Sequence, residues 1–298
     1  MNRTVQSDLA KECYGFLGGK TAGITRESVH RKSCDIERFC VITQEAASKL
    51  GKPVGSYTTL ETADCRYLST EDFRLLSRDL ASELRRMTES SVDREINGEL
   101  DVLVVGLGND ELTADAIGPR SVATLPATRH LKKYDPALYQ SLGCCSLTVI
   151  TPGVLGKTGV ETSEQIHAAV DLVKPDLIIA VDALAAASVE RLACTIQLTD
   201  TGIVPGSGVG NRRGAITKSR MGVPVIAVGV PTVVDSSTLV YDALSKAGVE
   251  TVPDPLTAIL KNKKSFFVSP KECDLIVDHF SRLIARAIEI VFVGELLS

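Results

Sequence analysis

Two aspartates lie where a carboxylate could do chemistry. Asp115 lies in GLGNDELTADAIGP, after the apolar run that begins at Leu100, and Asp182 is the first charged residue after the run LIIAV. A carboxylate among apolar residues is costly to bury unless it is paired or protonated. Two such groups held close together can share a proton, so that one acts as a base and the other as an acid. Alternatively, they could coordinate a divalent metal ion.

Each aspartate also has a simpler interpretation as the N-cap of a helix. The sequence predicts a helical stretch from about Asp115 and a short helix after Asp182. Taken singly, either residue fits that structural role. Two acids at the ends of neighbouring strands are more informative than either alone, and the pair therefore predicts a candidate site.

Other polar and glycine residues are expected at the same edge of the sheet. The segment TPGVLGKTGVETSE follows the second predicted strand, and the glycine-rich segment PGSGVGNRRG follows the fourth. The second loop could form a nest of backbone N–H groups that suits an oxyanion or an acidic side chain, or it could be a flexible surface loop. The supporting candidates are Asn109, Lys157, Glu161, Gly208, Asn211 and Arg212.

Two common site types are not supported by the sequence. The first loop has G-x-G-N without a third glycine, and its acids Asp110 and Glu111 would repel a pyrophosphate. No G-x-S-x-G motif is present, and Ser207 has no histidine obviously placed as its base. Nucleotide binding and a serine triad are therefore disfavoured.

Strands and helices that alternate along the chain are expected to position these residues. Apolar runs predict strands at residues 100–108, 146–153, 176–182, 191–198 and 224–231, and helices near 161–173, 236–246 and 270–292. Before them, residues 38–43 and 56–61 resemble short strands and 69–87 an amphipathic helix. Residues 252–264 resemble a loop or a short insertion. We predict a three-layer α/β sandwich with a mixed, largely parallel sheet and helices on both faces. Ligands bind at the carboxyl ends of such strands.

The composition of the chain restricts the classes of partner that we expect it to bind. The 298 residues are 44% hydrophobic and carry a net charge of −4, which argues against direct binding to nucleic acid. Eight cysteines without a C-x-x-C pair predict reduced thiols and no zinc site. With no signal peptide and no apolar run of membrane-spanning length, we expect no membrane contact and a cytoplasmic location.

Several long motifs resemble one family. The segments GLGNDELTADAIGPR, TPGVLGKTGVETSE, IIAVDALAAASVER, DTGIVPGSGVGNRR and PVIAVGVPTVVD resemble the germination protease (spore protease) of endospore-forming bacteria. The resemblance runs in order from about Leu100 to Asp235 and resumes at residues 268–290. The fold of that family is similar to that of hydrogenase maturation endopeptidases, which bind nickel at equivalent strand ends.

The resemblance implies an aspartic-type endopeptidase that degrades small acid-soluble, DNA-protecting spore proteins during germination. The two proposed catalytic aspartates of the family match Asp115 and Asp182. The resemblance also implies a forespore or spore-core location, a homo-oligomer with a tetramer as the specific expectation, and no cofactor. The alternatives are a metal-dependent endopeptidase with the same acids as ligands, or a catalytically inactive binding protein of sporulation.

The N-terminus resembles a self-cleavage site. The segment TVQSDLAKE is similar to the site at which the family removes its propeptide, which implies a cut between Asp8 and Leu9. The chain is then one α/β peptidase domain, 1–298, with a propeptide at 1–8 and a less regular portion at 9–95. A preference for an acid before the cut would give Arg120, Arg212 or Arg213 a carboxylate to bind.

Overall fold

The computed structural model describes residues 7–18, 21–206, 214–249, 252–261 and 266–294, without the side chains of Asp254 and Lys261. Nine strands within these residues form one sheet. They are β1 (Ile24–His30), β2 (Cys34–Val41), β3 (Gly55–Thr62), β4 (Asp101–Gly106), β5 (Ser146–Ile150), β6 (Leu177–Ala186), β7 (Thr195–Thr199), β8 (Val225–Asp235) and β9 (Phe267–Val268).

The helices of the described residues fall between these strands. They are α1 (Ala10–Phe16), α2 (Gln44–Leu50), α3 (Thr70–Val92), α4 (Ile117–Ala123), α5 (Arg129–Tyr134), α6 (Pro136–Leu142), α7 (Leu155–Thr158), α8 (Thr162–Val173), α9 (Lys218–Met221), α10 (Ser236–Lys246), α11 (Asp254–Lys261) and α12 (Cys273–Phe292). Short 3-10 turns lie at Cys65–Tyr67, Thr113–Asp115 and Val189–Arg191. None of the described helices is long and apolar enough to cross a membrane.

The sheet has a parallel half and an antiparallel half. The strand order is β1-β2-β3-β7-β8-β6-β4-β5, and β9 pairs with β8. Strands β8, β6, β4 and β5 pair in parallel, whereas β1, β2, β3 and β7 pair antiparallel to their neighbours. The two halves meet where β7 pairs with β8. The predicted mixed sheet is therefore confirmed, with its parallel pairing confined to the half that carries Asp115 and Asp182.

Helices cover both faces, as predicted. On one face, α3, α4 and α12 pack on side chains such as Val102, Val104 and Ile179. On the other face, α8 and α9 pack on Leu103 and Val105, and the alternation follows from the two-residue period of a strand. A third apolar cluster joins α1 and α2 to the antiparallel half. The three-layer architecture is thereby confirmed.

Local signals set several helix ends. Ser69 accepts a hydrogen bond from the backbone N–H of Asp72 at 3.1 Å and caps α3, the helix predicted at residues 69–87. Asp235 accepts from the N–H of Thr238 at 3.0 Å and caps α10. In the N-terminal portion the sequence predicted two strands and one helix, and the structure adds β1, α1 and α2. The division into a single domain stays a prediction.

Three local predictions were wrong. No helix follows Asp182, because β6 continues to Ala186 and keeps its pairing with β8. The predicted loop at 252–264 contains helix α11. The fourth strand starts at Thr195 rather than at Arg191, because the chain first makes a 3-10 turn at Val189–Arg191.

Candidate active site

Asp182 lies within a strand and faces the cavity side of the sheet. It is 5% exposed, and its Oδ1 accepts a hydrogen bond from the N–H of Ala183 at 2.9 Å. Ile178 and Ala180 belong to the apolar cluster beneath α8, so the alternation of β6 places Asp182 on that same face. The N-cap interpretation of Asp182 is therefore excluded, since the residue begins no helix.

Asp115 lies in the turn that follows the neighbouring strand. It ends the 3-10 turn Thr113–Asp115, and its Oδ2 accepts a hydrogen bond from the N–H of Asn109 at 2.8 Å. The cap residue of α4 is Ala116, whose side chain makes no capping bond. The carboxylate of Asp115 thus closes its own loop onto the end of β4 rather than capping α4.

Two glycines allow this loop to pack tightly. Gly108 has φ +112°, and a Cβ there would lie 2.0 Å from the carbonyl oxygen of Asp115. A Cβ on Gly118 would lie 2.4 Å from the carbonyl oxygen of Val181, beside Asp182. These two glycines therefore allow the close packing of the two aspartate-bearing segments.

Both aspartates line one cavity of about 1170 Å³. Strands β4 and β6 are adjacent and parallel, with Gly106 opposite Val181, so their carboxyl ends meet at one edge of the sheet. The two acids share this cavity, but the expected position of Asp182 just after its strand was wrong, because β6 continues to Ala186. Their roles in chemistry stay predictions.

The segment that precedes α1 occupies the same cavity. Ser7 and Asp8 line it, and the N–H of Asp8 donates to the carbonyl oxygen of Ala185 at 2.9 Å. The N–H of Ala185 donates in turn to Oδ2 of Asp8 at 2.9 Å. Strand β4 ends at Gly106, whereas β6 continues to Ala186, and Asp8 binds this extension of β6.

The residues after Asp8 are also bound. Leu9 is fully buried and packs with Leu184, Ala186 and Val234. The carboxylate of Glu12 accepts hydrogen bonds from the N–H of Ala187 at 2.8 Å and of Ser188 at 3.0 Å. The predicted cleavage bond Asp8–Leu9 is thus held against the extension of β6, at the cavity that contains both aspartates.

The supporting residues from the sequence fall in different places. Lys157 pairs with Asp110 at 2.7 Å and with Glu111 at 3.0 Å on the exposed rim. These contacts raise the pKa of Lys157, and the hydrogen bond from Lys157 lowers that of Asp110. Asn109 accepts at Oδ1 from the N–H of Glu111 at 3.1 Å, which orders the loop.

The other predicted candidates are more remote or outside the described residues. Arg120 is exposed on α4 and is not among the residues that line the cavity. Glu161 is the N-cap residue of α8 without a capping bond, and its buried Oε2 has no hydrogen-bond partner among the described residues. Gly208, Asn211, Arg212 and Arg213 lie outside the described residues.

Sequence reasoning missed two side chains that contact Asp8. Gln197 on β7 is 6% exposed and donates from Nε2 to the carbonyl oxygen of Asp8 at 3.1 Å. Lys52 donates from Nζ to the same oxygen at 2.9 Å. A polar residue inside the apolar run ACTIQL was the available signal for Gln197. Lys52, which follows α2, had no such sequence signal, since a lysine there usually lies in solvent.

A cysteine nucleophile is not supported by the environment of Cys13. Cys13 lines the cavity, and burial raises the pKa of its thiol. The reactive form of cysteine is the thiolate, so a raised pKa makes this side chain a poor nucleophile. All eight cysteines are free thiols, as predicted.

A metal would find few ligands in the part of the chain that the structure describes. Within those ranges no group of three or more His, Cys, Asp and Glu side chains has a metal-binding arrangement. Asp8 and Cys13 also line the cavity, but they form no three-residue metal-binding group with Asp115 and Asp182, which are the two acids of the metal alternative. Catalytic metal sites commonly use three protein ligands, so two carboxylates fit a resident metal poorly.

The fold and the cavity define a class of protein. It is a three-layer α/β protein with one aspartate within a parallel strand, another in the turn that follows the adjacent strand, and a segment of its own chain beside them. The germination protease family matches residues 18–247. The chain is 37% identical to the germination protease of Caldanaerobacter subterraneus subsp. tengcongensis over 316 residues, which cover 96% of this chain and 93% of the relative.

Two further relatives agree. The germination protease of Clostridium acetobutylicum is 37% identical over 96% of this chain and 94% of its own length. That of Priestia megaterium is 46% identical over 68% of this chain and 54% of its own length. The chain belongs to the germination protease family. The predicted family is thereby confirmed, and with it a peptidase associated with spore germination.

Proposed function

We propose that this chain is an endopeptidase that uses Asp115 and Asp182 as a proton-sharing pair. The observation that carries the proposal is that both carboxylates line the cavity that also holds the Asp8 side of the predicted cleavage bond. One aspartate would be ionised and the other protonated, as is usual for acids that share a site. No cofactor is part of the proposal.

The chemical step needs one water molecule. The ionised carboxylate removes a proton from the water, whose oxygen bonds to the carbonyl carbon of the peptide. The C–N bond of that peptide then breaks, and the protonated aspartate gives its proton to the leaving nitrogen. The products are a new carboxyl group and a new amino terminus, and the pair returns to one shared proton.

The substrates proposed are small acid-soluble, DNA-protecting spore proteins, degraded during germination in the forespore or spore core. Family membership supports this assignment. The enzyme acts on protein and neither binds nucleic acid directly nor contacts a membrane.

We further propose that it assembles into a homo-oligomer, specifically a tetramer. Light scattering from purified chain should give the mass of a tetramer, and the mass of a single chain would contradict this part.

The chain is proposed to be a zymogen that cuts its own Asp8–Leu9 bond. The hydrogen bonds between Asp8 and Ala185 and the burial of Leu9 support this, because they hold the bond in an extended, substrate-like manner. The N–H of Ala185 donates to the carboxylate of Asp8, the acid before the cut. Recognition of that acid by Arg212 remains a prediction for a residue outside the described ranges.

The test compares the wild type with Asp115→Asn and Asp182→Asn, each incubated with a spore DNA-protecting protein with and without chelator. Intact mass spectrometry follows the substrate and the loss of residues 1–8. Asp110→Asn is the matched control, because Asp110 lies on the same loop but is exposed and paired with Lys157. We expect cleavage by wild type and Asp110→Asn only.

The other outcomes separate the alternatives. Cleavage that survives either aspartate substitution would rule out the pair. Loss of cleavage with chelator would favour a metal-dependent enzyme with the same acids as ligands. A wild type that binds the spore protein but cuts neither it nor itself would indicate an inactive binding protein.

A further inference from the structure

The carbonyl oxygen of Asp8 accepts two hydrogen bonds from side chains of distant segments. Lys52 donates from Nζ at 2.9 Å, and Gln197 donates from Nε2 at 3.1 Å. This oxygen belongs to the peptide bond that joins Asp8 to Leu9. A cation and an amide N–H directed at one carbonyl oxygen form the arrangement that stabilises negative charge on it.

Gln197 is placed by the register of the sheet. In β8, Gly229 has Asp182 opposite it on β6 and Gln197 opposite it on β7. Side chains opposite each other in a sheet share a face, and neighbouring strands are about 4.8 Å apart. The Cα atoms of Asp182 and Gln197 are therefore about 10 Å apart on the same face. The side chain of Leu184 lies over Gly229 between them, since a Cβ on this glycine would be 2.5 Å from Cδ1 of Leu184. Asp182, Leu184 and Gln197 all line the cavity.

The amide of Gln197 spans the predicted cleavage bond. Its Oε1 accepts from the N–H of Ala10 at 2.7 Å while its Nε2 donates to the carbonyl oxygen of Asp8. The amide orientation follows from these partners, because a donor must face the carbonyl oxygen and an acceptor must face the N–H. One side chain therefore fixes the residues on both sides of Leu9.

Lys52 is directed at the same bond from the loop after α2. Gly51 ends that helix in the left-handed conformation with φ 71°, and the chain then leaves the helix axis. Lys52 is half-buried, and its Nζ also donates to the carbonyl oxygen of Ser7 at 3.1 Å. A partly desolvated ammonium interacts with a developing charge more strongly than one in bulk water.

We propose that Lys52 and Gln197 stabilise the negative charge that develops on the carbonyl oxygen of the residue before the cut. The proposal rests on the proposed function, which supplies the aspartate pair and the bond Asp8–Leu9. When the water oxygen bonds to the carbonyl carbon, the electron pair of the C=O bond moves onto the oxygen, where both donors hold it. When the C–N bond breaks, the pair re-forms the C=O bond and the Leu9 nitrogen takes the proton from the aspartate.

A purely structural role makes a different prediction. If Lys52 and Gln197 only hold residues 7–10 in place, their loss should weaken substrate binding and raise KM without changing kcat. If they stabilise the transition state, their loss should lower kcat. The separation of kcat from KM therefore decides between the two roles.

The experiment uses the full chain with Lys52→Met, Lys52→Arg, Gln197→Glu or the control Lys49→Met. Gln197→Glu keeps the acceptor for Ala10 but removes the donor to Asp8. Lys49 is an exposed lysine of α2 that pairs with Glu45. The rate of loss of residues 1–8 and the kcat and KM for a peptide TVQSDLAKE are measured, with circular dichroism as the check on folding.

We expect Lys52→Met and Gln197→Glu to lower kcat about 100-fold, as removal of one such donor does, with KM within about threefold of wild type. Lys52→Arg should recover part of kcat, and Lys49→Met should match wild type. A kcat within about threefold of wild type in both variants, or an effect on KM alone, would overturn the proposal.

Failure of the proposed function is visible separately. If Asp115→Asn or Asp182→Asn still cleaves the peptide at the wild-type rate, the aspartate pair is wrong whatever the other variants do. If both aspartate variants are inactive and the Lys52 and Gln197 variants are active, the pair stands and only the charge-stabilising role falls.

Discussion

The two halves of the sheet differ in strand direction and in what each places at the cavity. The parallel half, β4, β5, β6 and β8, supplies Asp115 and Asp182. The antiparallel half, β1, β2, β3 and β7, supplies Gln197 and, in the loop before β3, Lys52. We infer that acids and charge-stabilising donors come from opposite sides of the β7–β8 junction.

The halves also differ in how they are held together. Apolar contacts pack on both faces of both halves. The antiparallel half contains a buried ion pair, in which Arg38 on β2 donates to Glu83 on α3 at 2.6 and 3.0 Å. Loss of this ion pair should therefore lower stability, whereas substitutions at the cavity, in either half, should lower activity.

Outside the aspartate pair itself, a large effect on activity is expected from Gly108→Ala in the parallel half. The new Cβ would lie 2.0 Å from the carbonyl oxygen of Asp115, and φ +112° is strained for alanine. Displacement of a catalytic group by about 1 Å can cost about 100-fold in rate, so we expect a loss of that size in kcat. Gly156→Ala is the matched control, because nothing lies within 4 Å of its Cβ position. Equal activity of the two variants would contradict the assigned role of the loop.

The largest effect on stability is expected from Arg38→Met in the antiparallel half. Glu83 has 2% side-chain exposure, and removal of Arg38 takes away the bidentate donor of this buried carboxylate and leaves the pair with Arg86 at 3.1 Å. We expect the free energy of unfolding to fall by about 3 kcal/mol, with kcat unchanged for the protein that remains folded. Urea unfolding and peptide cleavage measure the two quantities. An Arg38→Met variant that loses kcat but keeps its free energy of unfolding would contradict this contrast between the halves.

The same pair predicts a pH dependence. Burial alone would raise the pKa of Glu83, but the hydrogen bonds and charges of Arg38 and Arg86 outweigh burial and lower it. A lowered folded-state pKa gives stability that is present above the unfolded value of about 4.3 and is lost as the pH falls through the folded-state pKa. The stability difference between wild type and Glu83→Gln should therefore shrink below about pH 4. A difference that grows in acid would contradict this sign.

The smallest effect is expected at the contact between β8 and the turn that carries Asp115. Thr232 is 1% exposed and donates from its hydroxyl to the carbonyl oxygen of Ala114 at 2.6 Å. Thr232→Val should lower the free energy of unfolding by about 1 kcal/mol and kcat by a few-fold. Thr232→Ser keeps the hydroxyl and should retain wild-type activity. Identical kcat in both variants would show that this bond does not position Asp115.

The parallel half was predictable because its signals are local. The continuous apolar runs at residues 100–108 and 176–182 gave β4 and β6, and the rule that ligands bind at carboxyl ends brought Asp115 and Asp182 together. The helix expected after Asp182 was wrong because the run ALAA suits a strand as well as a helix. Pairing with β8 makes this run a strand, and such pairing between distant segments cannot be detected in a short window of sequence.

The antiparallel contribution to the site was not predictable in the same way. Gln197 and Lys52 meet at one carbonyl oxygen only because β7 lies between β3 and β8. That order depends on non-local strand pairing. Residues 7–12 gave a cleavage-site resemblance but no sign of where they bind, since the bonds of Asp8 and Glu12 to β6 and the turn after it join segments more than 170 positions apart.

The central claim is that Asp115 and Asp182 act as one catalytic unit. The most direct test measures kcat for the peptide TVQSDLAKE with wild type, Asp115→Asn, Asp182→Asn and the double variant. Groups that act as a unit are strongly non-additive, so we expect each single substitution to lower kcat about 1000-fold or more and the double variant to lose little beyond that. Losses that multiply in the double variant, or a single variant that retains wild-type kcat, would contradict the account.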